Sequence, residues 1–438
     1  MNRRMINGLL GAAAGIALVS GAHAADMPVK AKAVEYVKIC SAYGAGFYYI
    51  PGTDICLRVG GYVFLETGVK GRNAAVDVIY DASAGDAVFD SNDNYMQWRA
   101  RGHVILDARQ NTAYGTLRAY FVGGVSYATS ATVDAGVQAP AGTNTGASMD
   151  RAFIEFAGFT AGFTESFFSF GGAYSIVASP SLSWDWLPLI AYTAQVGNGV
   201  TATVSIEDAG ARRSTMVSDA AYGGTGMPDI VGNIRVTQDW GSAQIMGALH
   251  ELKMSTGSST DTSWGYAIGA GIEVKTPQTG NPNNSVLLQG VWSKGAVEFT
   301  GLAASPVTTV RALGFGTGST GTAALVFDAL GNGQDLFKTV AWSGYAAYRH
   351  YWTPALRTGF SLGMTQIDHA SLLNENGFAD ARVWQGNMST IWSPVAGLDL
   401  SLDLVYSKLK TDACPVATDV CGNSEDIWTA WTRIRRNF

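Results

Sequence analysis

From Leu398 every second residue is apolar (Leu398, Leu400, Leu402, Leu404, Tyr406), while the residues between are mainly polar (Asp399, Ser401, Asp403, Ser407). A period of two is the signature of a strand with one oily face and one wet face. A second run, 426–438, sets Trp428, Ala430, Ile434 and Phe438 on one face and Arg433 and Arg435 on the other. Trp and Tyr flank the oily face, and Phe438 ends the run on an aromatic. Soluble β-sandwiches share the alternation, but girdles of aromatics belong where lipid tails meet headgroups, on outer-membrane barrels.

The same alternation predicts strands at 57–69, 95–109, 114–127, 150–158, 161–170, 190–197, 199–208, 229–239, 242–253, 262–275, 285–295, 338–351, 355–367, 380–393, 397–410 and 425–438. Long gaps (70–94, 128–149, 171–189, 209–228, 254–261, 296–337, 368–379, 411–424) alternate with short ones such as 110–113, Gly197-Asn198-Gly199 and Thr353-Pro354. Turns on one side and loops on the other are the layout of a bacterial outer-membrane barrel. Residues 57–438, at roughly 24 per strand and connection, give about 16 strands in an all-β, antiparallel transmembrane barrel. An even count puts both ends of the chain in the periplasm. Because an unpaired backbone group in hydrocarbon costs several kcal/mol, the first strand is expected to pair with the last.

Ahead of the strands, Arg3 and Arg4 precede an apolar core from Leu9 to Val19 and the small-x-small site Ala22-His23-Ala24. This reads as a cleavable secretory signal over 1–24, since the apolar run is short for a membrane anchor. Its removal would leave 414 of the 438 residues and, with Arg3 and Arg4 gone, move the formal charge from −6 to −8. Later segments lack the ~18 continuous apolar residues of a spanning helix. Residues 25–56 read as a periplasmic clip rather than a domain, being short and dense in Gly, Pro and aromatics. With 53 Gly, 11% aromatic and 15% charged residues the composition suits many short strands, and a mildly acidic chain argues against a nucleic-acid partner.

The four cysteines form two local pairs, Cys40 with Cys56 and Cys414 with Cys421, with neither CxxC nor His at metal-ligand spacing. In an oxidising compartment two disulfides are the economical reading, with free buried thiols the alternative, and no metal or cofactor is expected.

Candidate chemistry lies on the wet faces. Strand 95–109 carries Gln97, Arg99, Arg101, His103, Asp107 and Arg109 opposite Trp98, Ala100, Val104, Leu106 and Ala108, and the next strand adds Arg118 and Tyr120. Arg at mid-depth on a lipid face would cost ~2–4 kcal/mol, so these side chains are expected in the lumen. Arg58, Arg349, Arg357, Arg433 and Arg435 are further lumen candidates. Arg99, Arg101, Arg109 and Arg118 are expected to line a constriction as a ladder of fixed cations that sets ion selectivity; a merely solvated strand face is the plainer reading. The third long gap, with Tyr174, Ile176, Val177, Leu182, Trp184 and Trp186, is too apolar for an ordinary exposed loop and is expected to fold inward. Asp185, its one carboxylate, is the expected acidic group opposite the ladder.

Several stretches resemble the general porins of alphaproteobacteria: Val34-Glu-Tyr-Val-Lys-Ile-Cys40, Tyr43-Gly-Ala-Gly, Tyr49-Ile-Pro-Gly-Thr, Cys56-Leu-Arg-Val-Gly-Gly-Tyr62, Asp150-Arg-Ala-Phe-Ile-Glu-Phe-Ala-Gly-Phe159, Trp352-Thr-Pro-Ala-Leu-Arg357, Trp392-Ser-Pro-Val-Ala-Gly-Leu-Asp399 and Phe438. The resemblance implies a 16-stranded barrel, a homotrimer in outer-membrane lipid, and passive diffusion of small hydrophilic solutes and ions. It also implies an inward third loop and, at Phe438, an assembly signal for the outer-membrane barrel assembly machinery. Segment 296–337, the sparsely acidic third loop and the pair formed by Cys414 and Cys421 depart from that pattern.

Other functions have sequence footholds. Gly359-Phe-Ser361-Leu-Gly363 matches a nucleophile elbow but lies inside an alternating strand instead of a strand–turn–helix. Gly316-Thr-Gly-Ser-Thr-Gly321 matches a dinucleotide fingerprint without a βαβ context. The chain therefore reads as a channel rather than an enzyme, with a substrate-specific channel or a surface adhesion barrel as alternatives.

Overall fold

Sixteen strands among the described residues pair in a closed ring. The computed structural model describes residues 38–70, 78–80, 87–89, 96–129, 143–176, 179, 181–213, 215–217, 221–255, 260–302, 327–331, 336–370, 380–412 and 424–438. The expected signal at 1–24 and the start of the clip lie outside them. Cys414 and Cys421 lie outside them as well, so of the two expected disulfides the structure describes one, Cys40 with Cys56. The strands are β1 (Cys56–Lys70), β2 (Met96–Thr112), β3 (Gly115–Thr129), β4 (Thr143–Phe156), β5 (Phe159–Glu165), β6 (Trp186–Gly197), β7 (Val200–Glu207) and β8 (Asp229–Gln238). They continue with β9 (Gly241–Ser255), β10 (Thr260–Lys275), β11 (Ser285–Lys294), β12 (Val340–Thr353), β13 (Leu356–Asp368), β14 (Ala381–Val395), β15 (Leu398–Thr411) and β16 (Ser424–Asn437). Each pairs antiparallel with the next, and β16 pairs with β1 from Tyr62↔Asn437 to Lys70↔Thr429. Described helical segments are 3-10 turns of three or four residues, and none is long or apolar enough to cross a membrane.

Alternation decides the two faces. Val63, Leu65, Trp98, Val104, Phe121, Val125, Ile234, Ile245, Ile268, Leu288, Phe360, Leu362, Leu402 and Ile434 are exposed on the outside. Their neighbours Phe64, Glu66, His103, Asp107, Gln244, Gln289, Gln385 and Asp403 are buried on the inside. An apolar exterior over a polar interior inverts the arrangement of a water-soluble barrel.

Three strands differ from the sequence expectation, β6 in starting at Trp186 rather than 190. β4 begins at Thr143 rather than 150, because the register slips between Val122 and Gly123: Val122 faces Arg151 and Gly123 faces Met149. The extra residue, Asp150, is a β-bulge that puts 143–149 out of phase with 151–156, so a single-phase alternation picks up the strand only at its second half. β5 stops at Glu165 instead of continuing to 170, because the chain turns into the barrel at Ser166. The tight turn after β6 uses Asn198 (φ 50°) and Gly199 (φ 72°), the left-handed pair a two-residue hairpin requires. Short strands also occur within the long connections: Val78–Tyr80 with Ala87–Phe89, and Thr215–Val217 with Phe327–Gly331 and Leu336–Lys338.

The clip adds to the start of β1. Tyr48–Tyr49 pairs with Cys56 and Leu57, the Cys40 N–H donates to Phe47 O at 2.9 Å, and Cys40 and Cys56 are joined by a disulfide. In the chain-entropy account, a crosslink over this separation contributes ~3 kcal/mol, so the Cys40→Ser/Cys56→Ser pair should lower stability by about that amount in urea titration of the detergent-solubilised protein.

At the seam Gly61 N–H donates to Phe438 O and Phe438 N–H to Gly61 O, both at 3.0 Å. A Cβ on Gly61 would sit 2.5 Å from His103 O and 2.7 Å from Phe438 Cζ, whereas one on Gly102 of the same outer face would meet only Val63 Cγ2 at 3.9 Å. Gly61→Ala should therefore reduce the folded fraction, by an overpacking cost of about 1–3 kcal/mol, while Gly102→Ala leaves it unchanged; gel mobility of unheated against heated samples reads both.

Candidate functional site

The inner wall of β16, β1, β2, β3 and β4 carries most of the expected arginines, and the carboxylates that hold them stand on the same wall. Glu66 of β1, 2% exposed, accepts from Arg99 Nη2 of β2 at 2.5 Å and from Arg433 Nε of β16 at 2.6 Å. Asp107, fully buried, accepts from Arg109 (2.8 Å), Arg118 (3.0 Å) and Arg58 (3.4 Å). Arg118 also reaches Glu155 at 2.9 Å. Arg101 lies 3.6 Å from Asp150, which accepts Tyr62 Oη at 2.8 Å and stands 3.0 Å from His103 Nδ1. Buried charges survive where they are paired and hydrogen-bonded, and each of these carboxylates meets that condition.

The ladder consists of separate rungs. Arg109 and Arg118 face one another across β2 and β3, whereas Arg101 is eight residues along β2, about 27 Å away at ~3.4 Å per residue. The lower rung meets the clip: Phe47, buried, stacks under Arg58 (5.2 Å) and Arg109 (5.1 Å). The upper rung is organised around Phe64, whose ring centroid lies 4.8 Å from Arg433, 5.5 Å from Arg99 and 5.8 Å from Arg101. Three guanidiniums around one aromatic ring are held in place beside the lumen.

The described residues of segment 166–185, which leave out Val177, Ala178 and Pro180, lead from this wall to the other. Phe168, Phe170, Tyr174 and Leu182 are buried against Val231, Met246, Leu287, Val291 and Tyr345 on the inner faces of β8 to β12. Glycines make the seat: a Cβ on Gly271 would lie 2.1 Å from Phe170 Cδ1, and one on Gly363 2.4 Å from Ser179 Oγ. Polar bonds fix the rest. Tyr174 Oη donates to Glu273 at 2.5 Å, Ser183 N–H to Gln289 Oε1 at 2.9 Å, and Thr365 Oγ1 to Ser181 at 2.9 Å. The Ile176 N–H donates to Asp403 of β15, which also accepts from Ser389.

Asp185 sits at the root of the segment. Its Oδ1 accepts the Trp186 N–H at 2.8 Å, its own N–H donates to Ser169 Oγ at 3.2 Å, and burial pushes its carboxyl up against the pull of Arg212. Arg349, Arg357, Arg433 and Arg435 instead come together, lining a space of about 330 Å³ with Ala173, Tyr174, Ser175 and Ile176 of the segment. Glu66 could have been found from its phase, two residues beyond Phe64 on a wet face. Asp150 was hidden by the bulge. Ser361, between Gly359 and Gly363, lies within β13 opposite Ala347, in a strand rather than a strand–turn–helix.

An oily cylinder with a polar, arginine-lined interior and a segment folded into its bore defines a porin-type outer-membrane β-barrel. Residues 26–431 match the family model described as Porin subfamily, and the chain belongs to that family. It is 36% identical over 244 residues to porin Omp2b of Brucella melitensis, and 35% identical over the same length to porin Omp2b of Brucella abortus. Each alignment covers 53% of this chain and 62% of the relative, so the chain spans less than two thirds of the curated relatives it matches. The outer membrane channel DcaP of Acinetobacter baumannii shares the fold, with a TM-score of 0.63, 16% identity, and coverage of 89% of this chain and 99% of that one.

The segment's seat is testable by protease. Asp403→Ala removes the acceptor of Ile176 and Ser389, and a buried donor left unpaired costs about 1–3 kcal/mol. The variant should become cleavable within 171–182 under conditions where the parent is resistant, and Gly363→Val should behave alike.

Proposed function

We propose that the protein is a general diffusion channel of the outer membrane, passing small hydrophilic solutes and ions without turnover. One observation carries the reading: the inward segment borders a water-accessible, arginine-lined space on the inner side of the barrel without filling it. A plugged barrel with a structural role would close that space with apolar side chains, and an adhesin would have no need of charge pairs along its bore. The Arg99, Arg101, Arg109 and Arg118 rungs, with Arg58, Arg349, Arg357, Arg433 and Arg435, outnumber the carboxylates paired with them where they line the bore, which favours anions over cations along those stretches of wall. The expected export signal, periplasmic turns, assembly role of Phe438 and homotrimeric state belong to the same reading and rest on family membership.

Purified protein added to a planar bilayer should give discrete, nearly ohmic current steps. In a KCl gradient the reversal potential should carry the sign of anion preference, and Arg357→Gln or Arg101→Gln should move it toward zero. Absence of steps, or a potential that both substitutions leave unchanged, would sink the assignment. Dissociation of a trimer band to a monomer band on heating would check the oligomer.

A further inference from the structure

The four guanidiniums around the 330 Å³ space are not equivalent. Arg433 is compensated by Glu66, and Arg357 has Asp399 at 3.9 Å. Arg349 of β12 and Arg435 of β16 have no carboxylate within 4 Å among the described residues. Each instead lies over an aromatic ring: Arg349 is 3.8 Å from the Tyr174 centroid and Arg435 4.1 Å from that of Tyr62, with Arg435 Nε on Asn437 Oδ1 at 2.8 Å. A ring against one face of a guanidinium fixes its plane and leaves its edge N–H groups for a planar acceptor. The rings are themselves tethered, Tyr174 by Glu273 and Ser285, and Tyr62 by Asp150. Asp399 is the one carboxylate in the lining, and Tyr351, Ser389 and Ser401 add hydroxyls.

Two preset cations with no carboxylate of the described residues in ion-pair contact, facing one space, are an arrangement that a neutral solute does not need. Resting on the channel reading above, we infer that this space is a binding subsite for small organic dianions, one carboxylate matched to Arg349 and the other to Arg435. At ~30 Å³ per water the space holds about eleven waters, room for a dicarboxylate of four or five carbons together with several waters of its hydration shell. The fixed planes of the two arginines select two-ended carboxylates over chloride, which gains nothing from fork geometry, and over monocarboxylates, which leave one fork unmatched. Such a site concentrates dianions beside the inward segment and passes them at low external concentration, where simple diffusion is slow.

The test is chloride current through single channels titrated with succinate at constant ionic strength. Succinate should reduce the current along a saturating curve, while butyrate and dimethyl succinate, with one charge and none, should not saturate. Arg349→Gln and Arg435→Gln should each raise the half-saturating succinate concentration about tenfold, and Arg349→Lys, which keeps the charge but loses the fork, should also raise it. A linear response to succinate, or equal saturation by butyrate, overturns the subsite in the unmodified protein and leaves the channel reading standing. Saturation unchanged in both glutamine variants overturns the assignment to these arginines. If chloride alone carries no current, the channel reading falls and the subsite with it.

Discussion

A backbone N–H or C=O facing hydrocarbon has no water to turn to, and the closure of β16 on β1 removes the last open edge at which that would happen. The remaining architecture follows from it. A closed sheet has an inside, and strict alternation then sends one residue in two to lipid and one in two to the bore. The glycine at position 61 belongs to the same requirement, because it allows the Phe438 ring to lie across the seam while their backbones exchange two hydrogen bonds.

Once the bore is polar, charge becomes the second organising problem. Many arginines project inward, and a lumen lined with like charges would repel itself. Glu66, Asp107 and Asp150 each anchor two or three basic partners, while Phe64, Tyr62 and Tyr174 hold guanidinium planes by their faces. Carboxylates fix where the positive charge sits and aromatics fix how it is oriented. Arg349 and Arg435 receive only the second kind of support, which distinguishes them from Arg99 or Arg118.

The strand count, the alternation of short turns with long connections, the inward phase of the arginines and the inward third connection were all legible, because each depends on a local repeat or on local composition. Asp150 was not, since a single inserted residue reverses the phase of everything before it in β4. Nor was the gathering of Arg349 and Arg357 with Arg433 and Arg435: they lie on β12, β13 and β16, and only the curvature of the closed wall brings them to one space. Asp185 read as a lumen acid because the loop around it is apolar and expected to fold inward, yet it sits half-buried at the root of the segment, bonded to the Trp186 N–H. Of the two cysteine pairs read from spacing, Cys40 and Cys56 are bonded at the clip, while Cys414 and Cys421 belong to the connection between β15 and β16, outside the described residues. Ala157, with φ 51° in the turn before β5, carries no sequence sign of its left-handed backbone.

Segment 166–185 leaves β5, packs on the inner faces of β8 to β12 and is bonded at Ile176 to Asp403 on β15. A plain hoop of strands can be squeezed into an ellipse by uneven lateral pressure, and its opening changes as it flattens. A hoop with a chord fixed across it resists that deformation along the chord. The aperture of this barrel is thus set by a strut as well as by a perimeter.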